Sequence, residues 1–329
     1  MSSDCINSPS SYSYRASCAM WIGLLILSLS SAPAQLSQRN TDAVRAPDVG
    51  LGAEIFGGLE GKRDDAGTTF APESPGDADL GEQAIYRPLA EYDPFAVSIL
   101  QQGLYTSNAA LSDRNAAEDF YSYSEAAFRY TPRITSSLFA DISTSYGLYR
   151  YNDDSSLDFD SLESSAGLIN IFSELNNLVA WTNYNYTRLS DAHGDRNELL
   201  TEHSIEVGLY YPVPIGEKHF AFGSYLSEFS LGGDPEFTRR DEHGLTFGYA
   251  FLPTEKLELS AYYQFFVYDY RERGRLDLLQ DVGLAVKWKL TKSVDVKLQT
   301  SYSVNDSNIL GGDYSVGEAG ASLNLAYKF

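Results

Sequence analysis

Cysteine is almost missing from this sequence: 329 residues contain two, Cys5 and Cys18. Both lie in a segment expected to be removed on export, which leaves a mature chain with neither a disulfide nor a thiolate metal site. Long apolar runs are missing too. The longest extends from Ala19 to Leu27, far short of the roughly 20 residues that a membrane-spanning helix requires, so no helix is expected to cross a bilayer. Basic residues are scarce: 24 Lys and Arg face 45 Asp and Glu, for a formal net charge of −21. That balance excludes nucleic acid as a partner, because phosphate would be repelled and its binders present basic patches. It is compatible with a solvated, polyanionic cell-surface face that holds divalent cations.

What is present begins with an export signal. Arg15 precedes the apolar run and Ala32-Pro33-Ala34 closes it, the order of a signal peptide cleaved after Ala34. Residues 1–34 are therefore read as signal. A start at Met20 would leave a shorter signal without a side-chain positive charge, and Cys18 precedes the run, so it is not placed as a lipoprotein cysteine. A buried core helix is the competing reading of this run. From Gln35 to residue 94 the chain scatters Gly, Pro and charge, as in Glu60-Gly61-Lys62-Arg63-Asp64-Asp65 and Pro72-Glu73-Ser74-Pro75-Gly76-Asp77. No apolar period is sustained there, so this stretch reads as a disordered periplasmic linker, with a barrel plug or a tether as the functional alternative.

From residue 95 to 329 the pattern changes to segments rich in Tyr, Phe, Val, Leu, Ser and Thr, divided by turn clusters, which is the strand signature. In the clearest one, Leu257, Leu259, Ala261, Tyr263, Phe265 and Val267 alternate with Glu258, Ser260, Tyr262, Gln264 and Phe266. Val282 to Leu290 and Val294 to Tyr302 alternate likewise across a tight Thr291-Lys292-Ser293 connection, a hairpin. Twelve such segments centre near residues 101, 125, 142, 166, 183, 205, 225, 247, 263, 285, 299 and 322. Short connections are expected at 131–133, 173–176, 212–218, 253–256 and 291–293. Long polar ones are expected at about 107–118, 152–159, 190–198, 231–241, 270–277 and 305–313. Segments of membrane-spanning length, an even count and alternating connections together predict an all-β fold: a transmembrane, antiparallel, up-and-down β-barrel of about 12 strands with both ends in the periplasm. Aromatics near segment ends (Tyr130, Tyr146, Tyr149, Tyr151, Tyr186, Tyr210, Tyr211, Phe251, Tyr268 and Trp288) are expected at the two membrane interfaces. No strand register is legible for 95–130 or 160–175, where both faces are mixed.

The chain closes with Leu323, Leu325, Tyr327 and Phe329 on alternate positions. This resembles the terminal signal that outer-membrane barrels present to their assembly machinery. Gly103-Leu104-Tyr105-Thr106-Ser107-Asn108 with Ser112-Asp113-Arg114-Asn115, and Asn305-Asp306-Ser307-Asn308 before Asp313-Tyr314, resemble the beta-barrel porin 2 family over roughly residues 95–329. The resemblance implies a barrel near polysaccharide export or surface functions, in the outer membrane of a Gram-negative-type bacterium. Outer-membrane lipids, the assembly machinery and polysaccharide or small solutes are its implied partners.

Catalytic patterns are weak. His203-Ser204 are adjacent, so a strand sends them to opposite faces and they cannot form a nucleophile and base pair. Asp191-Ala192-His193-Gly194-Asp195 and Asp241-Glu242-His243 read as solvated loops rather than protease rims. Asn152-Asp153-Asp154, Asp158-Phe159-Asp160 and Asn305-Asp306-Ser307-Asn308 offer oxygen ligands without the EF-hand spacing. The expectation is no enzyme, no cofactor and no resident metal. Apolar faces turned to lipid would send Glu258, Gln264, Asp281, Lys287, Lys289, Asp295 and Lys297 into the lumen, with the three lysines as a modest anion-attracting ladder. Passage or export of small hydrophilic or saccharide solutes is the expected function. A structural or adhesive surface barrel with acidic loops and a closed lumen is the alternative.

Overall fold

The computed structural model describes residues 93–329 apart from Asn115, 194–196, Glu217 and Arg273. The expected signal and, except for its last two residues, the expected linker lie outside the described residues. Twelve strands follow in order: β1 (Phe95–Thr106), β2 (Asp119–Tyr130), β3 (Leu138–Tyr151), β4 (Phe159–Phe172), β5 (Leu178–Asp191), β6 (Glu198–Ile215), β7 (His219–Asp234), β8 (Arg240–Thr254), β9 (Leu257–Tyr270), β10 (Arg275–Lys289), β11 (Val294–Ser307) and β12 (Tyr314–Lys328). Sequence neighbours pair antiparallel and β1 also pairs with β12, so the sheet closes into an up-and-down barrel and no edge is left unpaired.

Alternation decides which way each residue points. Along β10, Val282, Leu284, Val286 and Trp288 are 40–57% exposed on the outer wall, while Asp277, Leu279, Asp281 and Lys287 between and before them are buried on the inner one. An apolar outer belt this continuous would be an aggregation liability in water. In lipid that cost would vanish, since taking one such side chain out of water is worth about 1.5–3 kcal/mol.

The seam is made by the two ends of the described barrel. Phe95 and Phe329 exchange both backbone hydrogen bonds, at 3.1 and 3.0 Å. Their rings stack at 5.5 Å, and Phe95 stacks on Tyr130 at 4.4 Å, so one aromatic row crosses β2, β1 and the end of the chain. Register continues with Val97 opposite Tyr327, Ile99 opposite Leu325 and Gln101 opposite Leu323.

Three sequence expectations need correction. The connection expected at 212–218 is 216–218, because Pro212 and Pro214 remain in β6, opposite Phe222 and Phe220. Pairing with β5 ends at Tyr210, so beyond it β6 has a neighbour on one side alone, an edge position of the kind in which proline is tolerated. Strands likewise run further than expected into the polar connections, which shrink to 235–239 and 271–274, whereas the β2–β3 connection is 131–137. The difference in length between the two barrel ends is thus smaller than read from the sequence, because polar residues at strand ends pair as readily as apolar ones. Finally, Tyr149, Tyr151, Tyr210 and Tyr268 are buried inside the barrel rather than set at the interfaces. Each shares the inner-face parity of its strand, and strand position outweighs residue type.

Candidate functional site

The inner wall encloses a cavity of about 450 Å³, reached by side chains from β2 through β11. Among the described residues, six carboxylates line it, from Asp141, Glu163, Glu206, Glu228, Glu242 and Asp281, against one guanidinium, Arg129. Arg129 is already engaged in a bidentate pair with Asp141, at 2.6 and 2.7 Å. Hydroxyl and amide side chains of Ser143, Ser165, Asn183, Asn185 and Gln264 fill much of the remaining wall.

Register gathers three of these acids. Glu206 on β6 stands directly opposite Glu228 on β7, which stands directly opposite Glu242 on β8. The strands place them by the usual alternation: Ile205 and Val207 turn outward, so Glu206 turns in. Each acid is then held by a named donor. Arg240 donates to Glu242 at 2.7 Å, with its guanidinium over the Tyr268 ring at 4.2 Å. Ser204 donates to Glu228 and the Trp181 indole N–H donates to Glu206. The indole fits because the residue beneath it is glycine: a Cβ on Gly208 would lie 2.0 Å from a Trp181 ring carbon. Asn183 stands opposite Glu206 on one side and Gly167 on the other; its Oδ1 is buried over Gly167 and has no hydrogen-bond partner among the described residues.

The lumen residues picked out from sequence divide in two. Gln264 and Asp281 line the cavity; Gln264 donates to Thr246 at 3.1 Å and Asp281 accepts from Ser303 at 2.8 Å. Glu258, Lys287, Lys289, Asp295 and Lys297 share the inner-wall parity but lie off the cavity, near the short connections. There Lys287 sits between Glu258 and Lys297, and Lys289 opposite Asp295, which also accepts from Asn324 at 3.1 Å. Lys287 and Glu258 are buried. Leu323, Leu325, Tyr327 and Phe329 are half exposed on the outer wall.

Apolar side chains narrow the lumen towards both ends. Near the short connections Phe139, Ile169, Val179, Tyr210 and Phe222 cluster inside. At the other end the β1–β2 loop folds into the mouth: Ala109 joins a cluster with Leu104, Tyr149 and Phe159, and Leu111 joins another with Tyr270 and Val316. Asn108 pins this loop by donating to Ser112 O and Ser315 O, both at 3.0 Å.

His203 and Ser204 do point apart, one to Tyr184 on the outer wall and the other to Glu228 within. His193 lies 3.7 Å from both Asp158 and Asp191. Among the described residues no group of three or more His, Cys, Asp and Glu is arranged to hold a metal ion. Sequence reading missed the glutamate row because each strand contributes one acid, and register alone brings them together. The signal it did carry was parity, as a lone Glu between outward aliphatics in Ile205-Glu206-Val207.

No family model matches the chain, and no curated protein matches it. Solved structures do. An outer membrane channel from Pseudomonas putida F1 superposes with a TM-score of 0.53 at 10% identity, over 78% of this chain and 100% of that one. The chain shares its fold with an outer-membrane channel. A looser superposition, at TM-score 0.41 and 11% identity, covers 70% of this chain and 87% of the translocator domain of autotransporter NalP from Neisseria meningitidis.

Proposed function

We propose that this barrel is a porin-like channel of the outer membrane of a Gram-negative-type bacterium, passing or exporting small hydrophilic or saccharide solutes. The observation that carries the reading is a closed barrel with an apolar outside and a polar inner cavity of about 450 Å³, a size within the range of small-molecule sites. Outer-membrane lipid is the partner of the outer wall, and the alternating apolar face of β12 is the part offered to the barrel assembly machinery. Membership of the beta-barrel porin 2 family belongs to the same reading and rests on the short motifs alone. The reading assigns no catalytic residue.

The inward β1–β2 loop favours a second reading, a structural or adhesive barrel whose lumen stays closed. Heat-modifiable migration of the protein from outer-membrane fractions, followed by conductance in planar bilayers, separates the two. A mobility shift with discrete conductance steps supports the channel. A shift with a silent bilayer supports the closed barrel, and a soluble protein without a shift removes both.

A further inference from the structure

We infer that two cross-strand rows of alternating large side chains and glycines set the bore of the lumen, and with it the largest solute that passes; the inference rests on the channel reading. Register builds both rows on the inner wall. One runs from Trp181 on β5 through Gly208, Leu226, Gly244 and Phe266 to Leu279 on β10, each directly opposite the next. The other runs from Phe222 on β7 through Gly248 and Tyr262 to Gly283 on β10. Side chains directly opposite stand about 4.5–5.5 Å apart, so each glycine leaves a recess beside a ring.

The rings occupy these recesses. A Cβ on Gly248 would lie 2.2 Å from a Phe222 ring carbon, and one on Gly244 would lie 2.3 Å from a Phe266 ring carbon. At both glycines the three nearest atoms belong to that ring, whereas at Gly167 and Gly320 a backbone carbonyl oxygen comes first. A methyl added at Gly244 or Gly248 therefore displaces a side chain and not the sheet. The ring has one way to go. Phe222 has Tyr210 on its β6 side, with ring centroids 5.2 Å apart, while Phe266 has Leu279 opposite on β10 and Tyr268 stacked along its own strand. Each must turn towards the lumen, and each sits where that narrows it: Phe266 borders the cavity, and Phe222 and Tyr262 belong to the apolar cluster near the short connections. A ring laid against the wall takes up about one carbon contact distance, roughly 3.5–4 Å; a ring turned inward takes up more.

The test is single-channel conductance of the purified full-length protein in planar bilayers, with poly(ethylene glycol) of graded size as a neutral probe of the bore. Gly248→Ala and Gly244→Ala should each lower conductance by roughly twofold and reduce the largest polymer that enters, since pore diameter governs both readings. Phe222→Ala and Phe266→Ala should each raise them. Adding Phe222→Ala to Gly248→Ala should return conductance to at least the unaltered value, because the methyl then has no ring to displace; a barrel merely distorted by the methyl would not recover. If the glycine variants lose the heat-modifiable shift, the two phenylalanine variants carry the test. Conductance in the unaltered protein that none of these substitutions moves overturns the inference and leaves the channel reading standing. A silent bilayer for the unaltered protein overturns both.

Discussion

Two stretches of the inner wall carry charge and are built on opposite rules. Across β6, β7 and β8, register repeats one sign, Glu206 to Glu228 to Glu242. Across β9, β10 and β11 it mostly alternates sign, with Glu258 beside Lys287 and Lys289 beside Asp295. Cross-strand pairs are worth about 0.2–1 kcal/mol, favourable when signs differ and unfavourable when they match. The second arrangement therefore lowers its own energy, whereas the first gains nothing from its cross-strand oppositions and depends on other donors, Arg240 for Glu242, Ser204 for Glu228 and Trp181 for Glu206. A charged strand face is consequently no guide to how its charges are balanced; the neighbours in register and the donors around them decide it.

The strongest way to break this comparison is to withdraw the cation that the glutamate row does possess. Arg240 and Glu242 have side chains 2% and 10% exposed and lie 2.7 Å apart. Arg240→Met would leave Glu242 buried beside Glu228 without its guanidinium, at a cost of about 3–5 kcal/mol. The urea midpoint for loss of the folded gel mobility in detergent reads this directly. A loss below about 1 kcal/mol would mean that the row is not held charged, and the contrast with β9–β11 would lose its basis.

A smaller change reaches the row through packing alone. Gly208→Ala puts a methyl where the Trp181 ring lies, an overpacking worth about 1–3 kcal/mol. It should also loosen the indole from Glu206. The expected outcome is altered Trp181 fluorescence together with a urea midpoint lowered by about 1–3 kcal/mol. An unchanged midpoint alongside a displaced indole would show that Glu206 does not need this donor to be held.

Much of the fold was legible because the outward-facing side chains are large and alternate. β9 and β10 read clearly, since Leu259, Tyr263, Leu284 and Trp288 all turn outward. The same alternation pointed Asp281 and Gln264 inward, whereas β1, β2 and β4, whose faces are mixed, were recognised by composition and turn clusters without a register. Charge is another matter. The lysines of β10 and β11 stood out because they lie close in sequence, while Glu206, Glu228 and Glu242 are separated by 22 and 14 positions and meet through pairing alone. Strand ends were misjudged for a related reason: Pro212 and Pro214 signal a turn locally, and only the loss of the β5 neighbour beyond Tyr210 makes them acceptable in β6. Inward tyrosines such as Tyr149 and Tyr268 were indistinguishable by type from interfacial ones.

The comparison sharpens when the lysine end is neutralised. Lys289→Met removes the partner that stands opposite Asp295. The urea midpoint should fall by about 0.2–1 kcal/mol, the worth of one favourable cross-strand pair. A rise in the midpoint would show that alternating sign across β10 and β11 does not lower the energy.

The smallest effect is expected where solvent replaces the wall. Arg188 and Glu198 pair at 3.2 Å with side chains 45% and 42% exposed, the same chemistry as Arg240 with Glu242 but open to water and salt. Exposed pairs of this kind contribute about 0–1 kcal/mol. Arg188→Ala should therefore move the urea midpoint barely, and less still in high salt, while Arg240→Met moves it strongly at either ionic strength. Equal effects of the two substitutions would mean that the inner wall is as well screened as the rim. Burial could then not explain why Glu242 needs its guanidinium.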